Sequence, residues 1–275
     1  MSKLKHTRHT RNKRIRLVWF KIISMKQILI AFFVLPLITF AQTDSVLSGS
    51  YFWKEPSIQK NEISSMVLLE GKVHDFEWMQ LNANSISGNK KLKLALPENL
   101  EQLLIIKSGA LTIKLNDSVF TLTPHSIAVL MPGQKYSIKK TGNEACNFFT
   151  MKYRSRQPMN LQRGGKSFIK IWESIPFKTN SNGGGRRDFF EQSTAMQKRF
   201  EMHVTTLKEG IKSHEPHTHR AEEIVLILEG DTEMQLGDGI VKTSVGGFYY
   251  LGSNISHAIK NIGTKPCTYF AFQFE

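Results

Sequence analysis

Cysteine and helical periodicity are both scarce in this sequence. Only two cysteines, Cys146 and Cys267, occur in 275 residues, which excludes the disulfide framework of a small secreted scaffold. Both lie in apolar, aromatic stretches, so we expect them to be small buried side chains in strands. Long amphipathic helical patterns are absent. The segments rich in Val, Ile, Leu, Phe and Tyr that follow residue 45 therefore predict an all-β protein.

Acidic residues are few compared with basic ones, and the formal charge is +14. Such an excess ordinarily indicates a nucleic-acid or anionic-membrane partner. Nine of the Lys and Arg residues and no Asp or Glu fall in residues 1–41, however, and subtracting these nine leaves +5 for the remainder. We therefore predict no nucleic-acid partner.

The N-terminal stretch lacks an apolar run long enough to span a membrane comfortably. Its apolar residues 28–40 follow a basic segment and end at Thr39-Phe-Ala41, which fits the small-x-small rule for signal peptidase. Residues 1–41 thus predict a basic extension and signal peptide, a secreted or periplasmic protein, and no stable membrane anchor once cleaved. The true start is either Met1 or Met25.

The chain repeats itself at an offset of 121 residues. Turn residues recur every eight to twelve positions, a rhythm typical of β-sandwiches and barrels. At this offset Glu101–Phe149 aligns without gaps on Glu222–Phe270. The match predicts two copies of one β domain, residues 46–155 and 165–275, joined by a polar linker.

A group of metal-ligating residue types lies in the second copy. In a strand, residues two apart face the same way, so His217 and His219 project together, and Glu223 follows four residues later. His257 comes from a later strand that can lie across the sheet. Three imidazoles and one carboxylate suit one divalent ion such as Fe, Mn, Ni, Zn or Cu.

Two motifs in this region resemble those of the cupin superfamily. The first is "HTHRAEEIVLILEG", complete from His217 to Gly230, and the second is "GGFYYLGSNISHAIKN". The second has Gly252 where proline is usual and Asn254 where glycine is usual, but Asn tolerates a positive φ. The resemblance implies two tandem cupin barrels, each a jelly roll or double-stranded β-helix, and metal ligands at His217, His219, Glu223 and His257.

The first copy has no histidine at the positions that correspond to the four candidate ligands. The four ligand positions map back at the same offset to Leu96, Glu98, Gln102 and Tyr136. We therefore predict a degenerate, metal-free cupin domain over residues 46–155. Its expected role is structural: it packs against the metal-bearing domain, or the chain forms a homodimer.

Four polar residues near the ligands could belong to the functional site or could lie on the protein surface. His214 and Glu215 precede the first ligand. They could form hydrogen bonds that orient the ligands, or they could lie in a solvated loop. His203 and Glu201 share one face of a strand. If that face lines the pocket, they are candidate catalytic residues; the alternative is that they form cross-strand pairs on the outer surface of the barrel.

Two arginines follow a glycine run in "NGGGRRDFF". Arg186 and Arg187 have the chemistry to bind a substrate carboxylate, although a surface loop is the alternative.

These patterns leave two classes of function open. One is a metal-dependent enzyme acting on a small polar substrate, for which the resemblance to metal-bearing cupins implies an unsaturated uronate or other sugar acid in carbohydrate breakdown. Within that class, a ureidoglycine aminohydrolase-like enzyme and a cupin dioxygenase are further alternatives. The other is a non-catalytic metal- or sugar-binding or storage cupin, in which Phe248, Tyr249 or Tyr250 would plug the pocket.

Overall fold

The computed structural model describes residues 45–57, 63–181 and 184–275. The predicted signal peptide in residues 1–41 lies outside the described residues. Within them, no helix is both long and apolar enough to cross a membrane.

Short strands make up most of the described chain. The first half contains β1 (Gly49–Tyr51), β2 (Ser64–Gly71), β3 (Phe76–Ile86), β4 (Leu92–Ala95), β5 (Glu101–Ser108), β6 (Ala110–Leu115), β7 (Ser118–Leu122), β8 (Ile127–Leu130), β9 (Lys135–Thr141) and β10 (Cys146–Ser155). The second half contains α1 (Leu161–Gly164), β11 (Phe168–Lys170), a 3₁₀ turn (Trp172–Ser174), β12 (Lys178–Thr179), β13 (Gly185–Gln192), β14 (Phe200–Leu207), β15 (Glu222–Glu229), β16 (Thr232–Leu236), β17 (Gly239–Thr243), β18 (Phe248–Leu251), β19 (His257–Asn261) and β20 (Cys267–Phe274).

The strands form two barrels, each of which has a large sheet and a small one. In the first barrel the sheet orders are β11-β8-β5-β10-β3-β2 and β4-β9-β6-β7. In the second barrel they are β1-β18-β15-β20-β14-β13-β12 and β17-β16-β19. Neighbouring strands in these sheets run antiparallel, as a jelly roll requires. The predicted all-β fold with two tandem barrels is confirmed.

The two barrels exchange their first strands. β1 pairs with β18 of the second barrel, with Ser50 opposite Tyr249. β11 pairs with β8 of the first barrel, with Ile169 opposite Ala128. The contiguous boundaries 46–155 and 165–275 stay a prediction, and the strand pairing adds that each barrel is closed at one edge by a strand from the other half.

Three hydrophobic cores stabilise this arrangement. One fills the first barrel, a second fills the other barrel, and a third lies where the two large sheets pack face to face. β14 shows how one strand serves two environments. Its Phe200 and Met202 are buried in the core between the sheets, whereas Glu201 and His203 face a cavity inside the second barrel. The predicted alternation along this strand therefore separates core residues from site residues.

Both cysteines are free and buried. Burial raises the pKa of Cys146 to about 12 and that of Cys267 to about 11. Such thiols carry almost no thiolate at neutral pH and act as apolar side chains.

Candidate metal centre

His217 and His219 lie in the segment that leads into β15, and His257 begins β19. A short antiparallel bridge joins the two places. The backbone N–H of His217 donates to the carbonyl of His257 at 3.2 Å, and the N–H of His257 donates to the carbonyl of His217 at 3.0 Å. This reciprocal pair holds His217 and His257 side by side, so the side chains converge because of backbone pairing between distant segments.

The three imidazoles form one cluster. Ring centroids lie 4.7 Å apart for His217 and His257, 4.8 Å for His219 and His257, and 5.3 Å for His217 and His219. One ring nitrogen from each lies within 4.8 Å of the others. Glu223 joins the cluster, with Oε2 at 3.2 Å from His219 Nε2 and 3.4 Å from His257 Nε2. The structure therefore brings all four predicted ligands together.

Backbone carbonyls fix which ring nitrogens face the centre. His219 Nδ1 lies 2.8 Å from the carbonyl of Ala221, and His257 Nδ1 lies 2.8 Å from the carbonyl of Ile255. A carbonyl only accepts, so each Nδ1 carries the proton and each Nε2 is left with a lone pair. This is the usual arrangement behind metal-ligating histidines.

The donor set fits a divalent cation. His257 Nε2 is buried and makes no hydrogen bond within the described residues, although it is close to Glu223. In its neutral form, His219 likewise directs a lone pair at ionised Glu223 across 3.2 Å, whereas in its protonated form Nε2 donates to that carboxylate. A cation between these atoms would remove the repulsion and satisfy the orphaned nitrogen. Metal–nitrogen bonds of about 2.1 Å limit two ligand atoms to about 4.2 Å apart, so only small side-chain shifts are needed. The histidine triad could thus hold a metal ion.

Local electrostatics prepare the ligands for a cation. Burial would raise the pKa of Glu223, but contacts with His219 and His257 outweigh it and lower that pKa to about 2. The hydrogen bond with Glu223 raises the pKa of His219, against the opposing effect of burial. Burial and repulsion from neighbouring histidines lower the pKa of His217. Glu223 is therefore ionised, and His217 favours its neutral form.

Asn254 forms the turn that precedes His257. Its φ is 59°, in the left-handed region, and its equivalent in the first barrel, Gly133, has φ 72°. The N–H of Asn254 donates to the carbonyl of His219 at 2.8 Å. Asn at the usual glycine position therefore preserves the turn and ties the two ligand segments together.

Three members of the cluster, His217, Glu223 and His257, line a cavity of about 360 Å³ inside the second barrel. The wall of this cavity includes His203 and Glu201, the two candidate catalytic residues, and also Arg186. His203 Nδ1 lies 3.1 Å from Glu201 Oε1, and Arg186 donates to Glu201 at 2.9 Å. Hydrogen bonding to His203 is the main influence that lowers the pKa of Glu201 to about 2, while burial opposes it. An ionised carboxylate thus orients an imidazole inside the cavity.

His214 also lines the cavity, with its ring centroid 4.2 Å from that of His217. Glu215 does not. Its side chain is exposed and pairs with Lys212 at 3.4 Å.

Arg186 and Arg187 lie on opposite faces of β13. The segment is therefore a strand and not the surface loop that was the alternative. Arg186 lines the cavity, but Arg187 packs against Trp172 at 4.6 Å and donates to the carbonyl of Ile175. Arg187 therefore contributes to packing, and the structure does not bring it to the site.

The three aromatic residues that could plug the pocket lie elsewhere. Phe248 and Tyr250 belong to the core between the sheets, and Tyr249 belongs to the core of the second barrel. None of the three lines the cavity as described.

Gln273 is a site residue that the sequence did not indicate. Its Nε2 lies 3.3 Å from His219 Nε2 and 3.4 Å from Glu223 Oε2. Gln273 belongs to no motif. The available signal was its place in β20, where it pairs with Glu223 and so has its side chain on the same face of the sheet.

The first barrel has different contacts at the equivalent positions. Gln102 takes the place of Glu223 and Tyr136 that of His257, and the amide of Gln102 donates to the Tyr136 hydroxyl at 3.4 Å. Leu96 takes the place of His217 and is buried in the apolar core. No imidazole is present at these positions.

Comparisons with known proteins agree with this fold. A search of curated sequences finds no significant match. Similar solved structures include a protein from Pseudomonas aeruginosa described as glyoxylate-induced, at 17% identity and a TM-score of 0.64 over 78% of this chain and 80% of that one. AerE from Microcystis aeruginosa is similar at 16% identity and a TM-score of 0.60 over 82% and 98%. Oxalate decarboxylase from Lactobacillus farciminis, in its formate complex, is similar at 10% identity and a TM-score of 0.55 over 80% and 87%.

Residues 203–272, which span the candidate ligands, match the family described as Cupin domain. The match assigns residues 203–272 to the Cupin domain family, and the fold of the described chain is that of the similar solved structures.

Proposed function

We propose that the second barrel is the active site of an exported, metal-dependent enzyme that acts on a small anionic substrate such as an unsaturated uronate or another sugar acid. The observation that carries the proposal is a cavity lined by both a carboxylate–imidazole pair and three of the four converging ligands, while the fourth, His219, contacts Glu223 beside it. Its volume of about 360 Å³ suits a monosaccharide-sized molecule.

His217, His219, Glu223 and His257 would hold the ion. A divalent ion bound there supplies Lewis-acid polarisation of substrate oxygens. The carbonyls of Ala221 and Ile255 keep two of the imidazoles in the ligating tautomer before anything binds.

His203 is the proposed general base. Glu201 accepts from Nδ1 of His203, so Nε2 is left as the proton acceptor. Arg186 and Arg199 both pair with Glu201, which keeps that carboxylate ionised and in place. Arg186 also forms an ion pair with Asp188 at 2.5 Å. Because both of its ion pairs are with side chains of the protein, its main role is to position Glu201.

An unplugged cavity and a titratable pair favour an enzyme over a storage protein. The oxalate decarboxylase that resembles this chain was solved with formate, a small carboxylate. This likeness supports a substrate of the carboxylate class and does not indicate which carboxylate it is.

The test is turnover by metal-loaded protein on a panel containing unsaturated uronates and oxalate, with products followed by mass spectrometry and dioxygen consumption by electrode. We expect turnover of a sugar acid without dioxygen uptake. His203→Ala and Glu201→Gln should lower kcat by roughly 10²- to 10⁴-fold while metal content stays unchanged. His74→Ala, which alters a histidine outside the cavity, is the matched control.

Stoichiometric metal without turnover of any panel member would support the binding or storage alternative. Dioxygen uptake coupled to product would support a dioxygenase. Export is tested separately: N-terminal sequencing of the mature protein should begin at Gln42.

A further inference from the structure

The first barrel contains a cavity of its own, with a volume of about 270 Å³. It occupies the position that the metal cavity occupies in the second barrel, since Gln102 and Tyr136 line it where Glu223 and His257 line the other. The 121-residue offset also places Asn82 at the position of His203 and Lys152 at that of Gln273. A barrel that had become purely structural would be expected to fill this space with apolar side chains, as its core does elsewhere.

The wall of this cavity includes a side chain with an unsatisfied acceptor. Asn82 is only 4% exposed, and its side chain lines the cavity. Its amide nitrogen donates to Gln80 Oε1 at 2.9 Å, but its Oδ1 accepts no hydrogen bond within the described residues. Buried polar atoms in native proteins almost always have partners, so Asn82 Oδ1 indicates a missing donor.

A cation faces the same cavity. Lys152 is half-buried on β10 and lines the cavity, and it forms no ion pair with any residue in the part of the chain that the structure describes. Burial lowers the pKa of Lys152. A partly desolvated ammonium without a counter-ion is a binding element for an anion.

A neighbouring surface groove is basic as well. An exposed groove shares Leu94, Ala95 and Tyr136 with the cavity. Four lysines line that groove: Lys91, Lys93, Lys114 and Lys135. None of the four is in an ion pair among the described residues. Like charges clustered beside a cavity concentrate ligands of opposite sign.

We propose that the first barrel is a metal-independent binding site for a small hydroxylated carboxylate, with the carboxylate at Lys152 and a hydroxyl group donating to Asn82 Oδ1. Its volume of about 270 Å³ lies just below the range of about 300–1,000 Å³ for small-molecule pockets, so the ligand is no larger than a monosaccharide acid. This site does not depend on the metal centre or on catalysis in the second barrel.

Calorimetric titration of the mature chain tests the proposal. The His217→Ala/His257→Ala variant serves as background, so that binding at the metal centre does not contribute. The probes are D-glucuronate, D-galacturonate and D-gluconate, with D-glucose lacking the carboxylate and acetate lacking the hydroxyl groups. We expect one of the three acids to bind at one site per chain, and glucose and acetate to bind at least about tenfold more weakly.

Two variants assign the binding to this cavity. Lys152→Met and Asn82→Leu, each in the same background, should weaken binding at least about tenfold. Lys139→Met is the matched control, because Lys139 is exposed on β9 and does not line the cavity. If Lys152→Met fails to fold, Asn82→Leu alone decides the question, since it replaces an unsatisfied polar group with an apolar one. Absence of binding by all three acids, or binding that survives both substitutions, would overturn the proposal.

Discussion

Glu101 and Glu222, separated by 121 positions, are buried carboxylates that each bind the backbone of the opposite half of the chain. Glu222 Oε1 accepts from the N–H of His74 at 2.8 Å and Oε2 accepts from that of Asp75 at 3.1 Å. Glu101 Oε1 accepts from the N–H of Met196 at 3.0 Å. These pseudo-symmetric contacts join the two barrels and so help to fix the orientation of one barrel to the other.

Replacing Glu222 should destabilise the folded chain. Glu222→Ala leaves two partly buried backbone N–H groups and the buried Tyr250 hydroxyl, which lies 2.5 Å from Oε1, without their acceptor. The expected loss in the free energy of unfolding is about 3 kcal/mol. Urea denaturation followed by circular dichroism measures it, with exposed Glu209→Ala as the control. Equal stability of the two variants would contradict the proposed role of Glu222.

Glu101 should make stability depend on pH. Burial raises its pKa above the ordinary 4.5, although hydrogen bonds from Thr194 and Tyr153 act in the other direction. The folded state then holds the proton more tightly than the unfolded chain. The contribution of Glu101 is therefore fully present below pH 4.5 and is lost as pH rises through the higher folded-state pKa.

Urea denaturation over a pH series measures this effect against Glu101→Gln, which has no proton to lose. The free energy of unfolding of the native protein minus that of Glu101→Gln should fall as pH rises above 4.5. A difference that stays constant or increases would contradict the direction assigned to Glu101.

Asn254 should be replaceable by glycine but not by alanine. At φ 59°, a residue with Cβ and no compensating side chain is strained, and Asn254→Ala is expected to cost about 1 kcal/mol. Asn254→Gly should be neutral within a few tenths of a kcal/mol. Thermal melting compares stability, and competition with a chelator compares metal affinity. We expect weaker metal binding in Asn254→Ala, because the turn positions His219 and His257; equal effects of the two substitutions would argue against this.

The sequence was sufficient to predict that the four candidate ligands converge, since HxHxxxE and the later histidine carry a spacing that the fold dictates; their role as ligands stays a prediction. It also predicted the repeat, because glycines and turn residues recur at one offset. It could not predict the divergent paths of Arg186 and Arg187, which depend on whether that segment is a strand or a loop. Asn82 and Lys152 belong to no motif and become noticeable only when the fold encloses them beside an empty volume.

The strand exchange also escaped prediction. β1 and β11 have three residues each, too short to show a periodicity. Their places are set by open sheet edges in the other half of the chain, a tertiary effect that no local pattern reports.

Metal content measured on the purified mature protein tests the central claim most directly. Inductively coupled plasma mass spectrometry should find about one transition-metal ion per chain in the native protein and in Tyr136→Ala, which alters the equivalent position of the first barrel. His219→Ala and His257→Ala should retain almost none while remaining folded by circular dichroism. Full metal content in the two histidine variants, or its loss in Tyr136→Ala alone, would contradict a single metal centre in the second barrel.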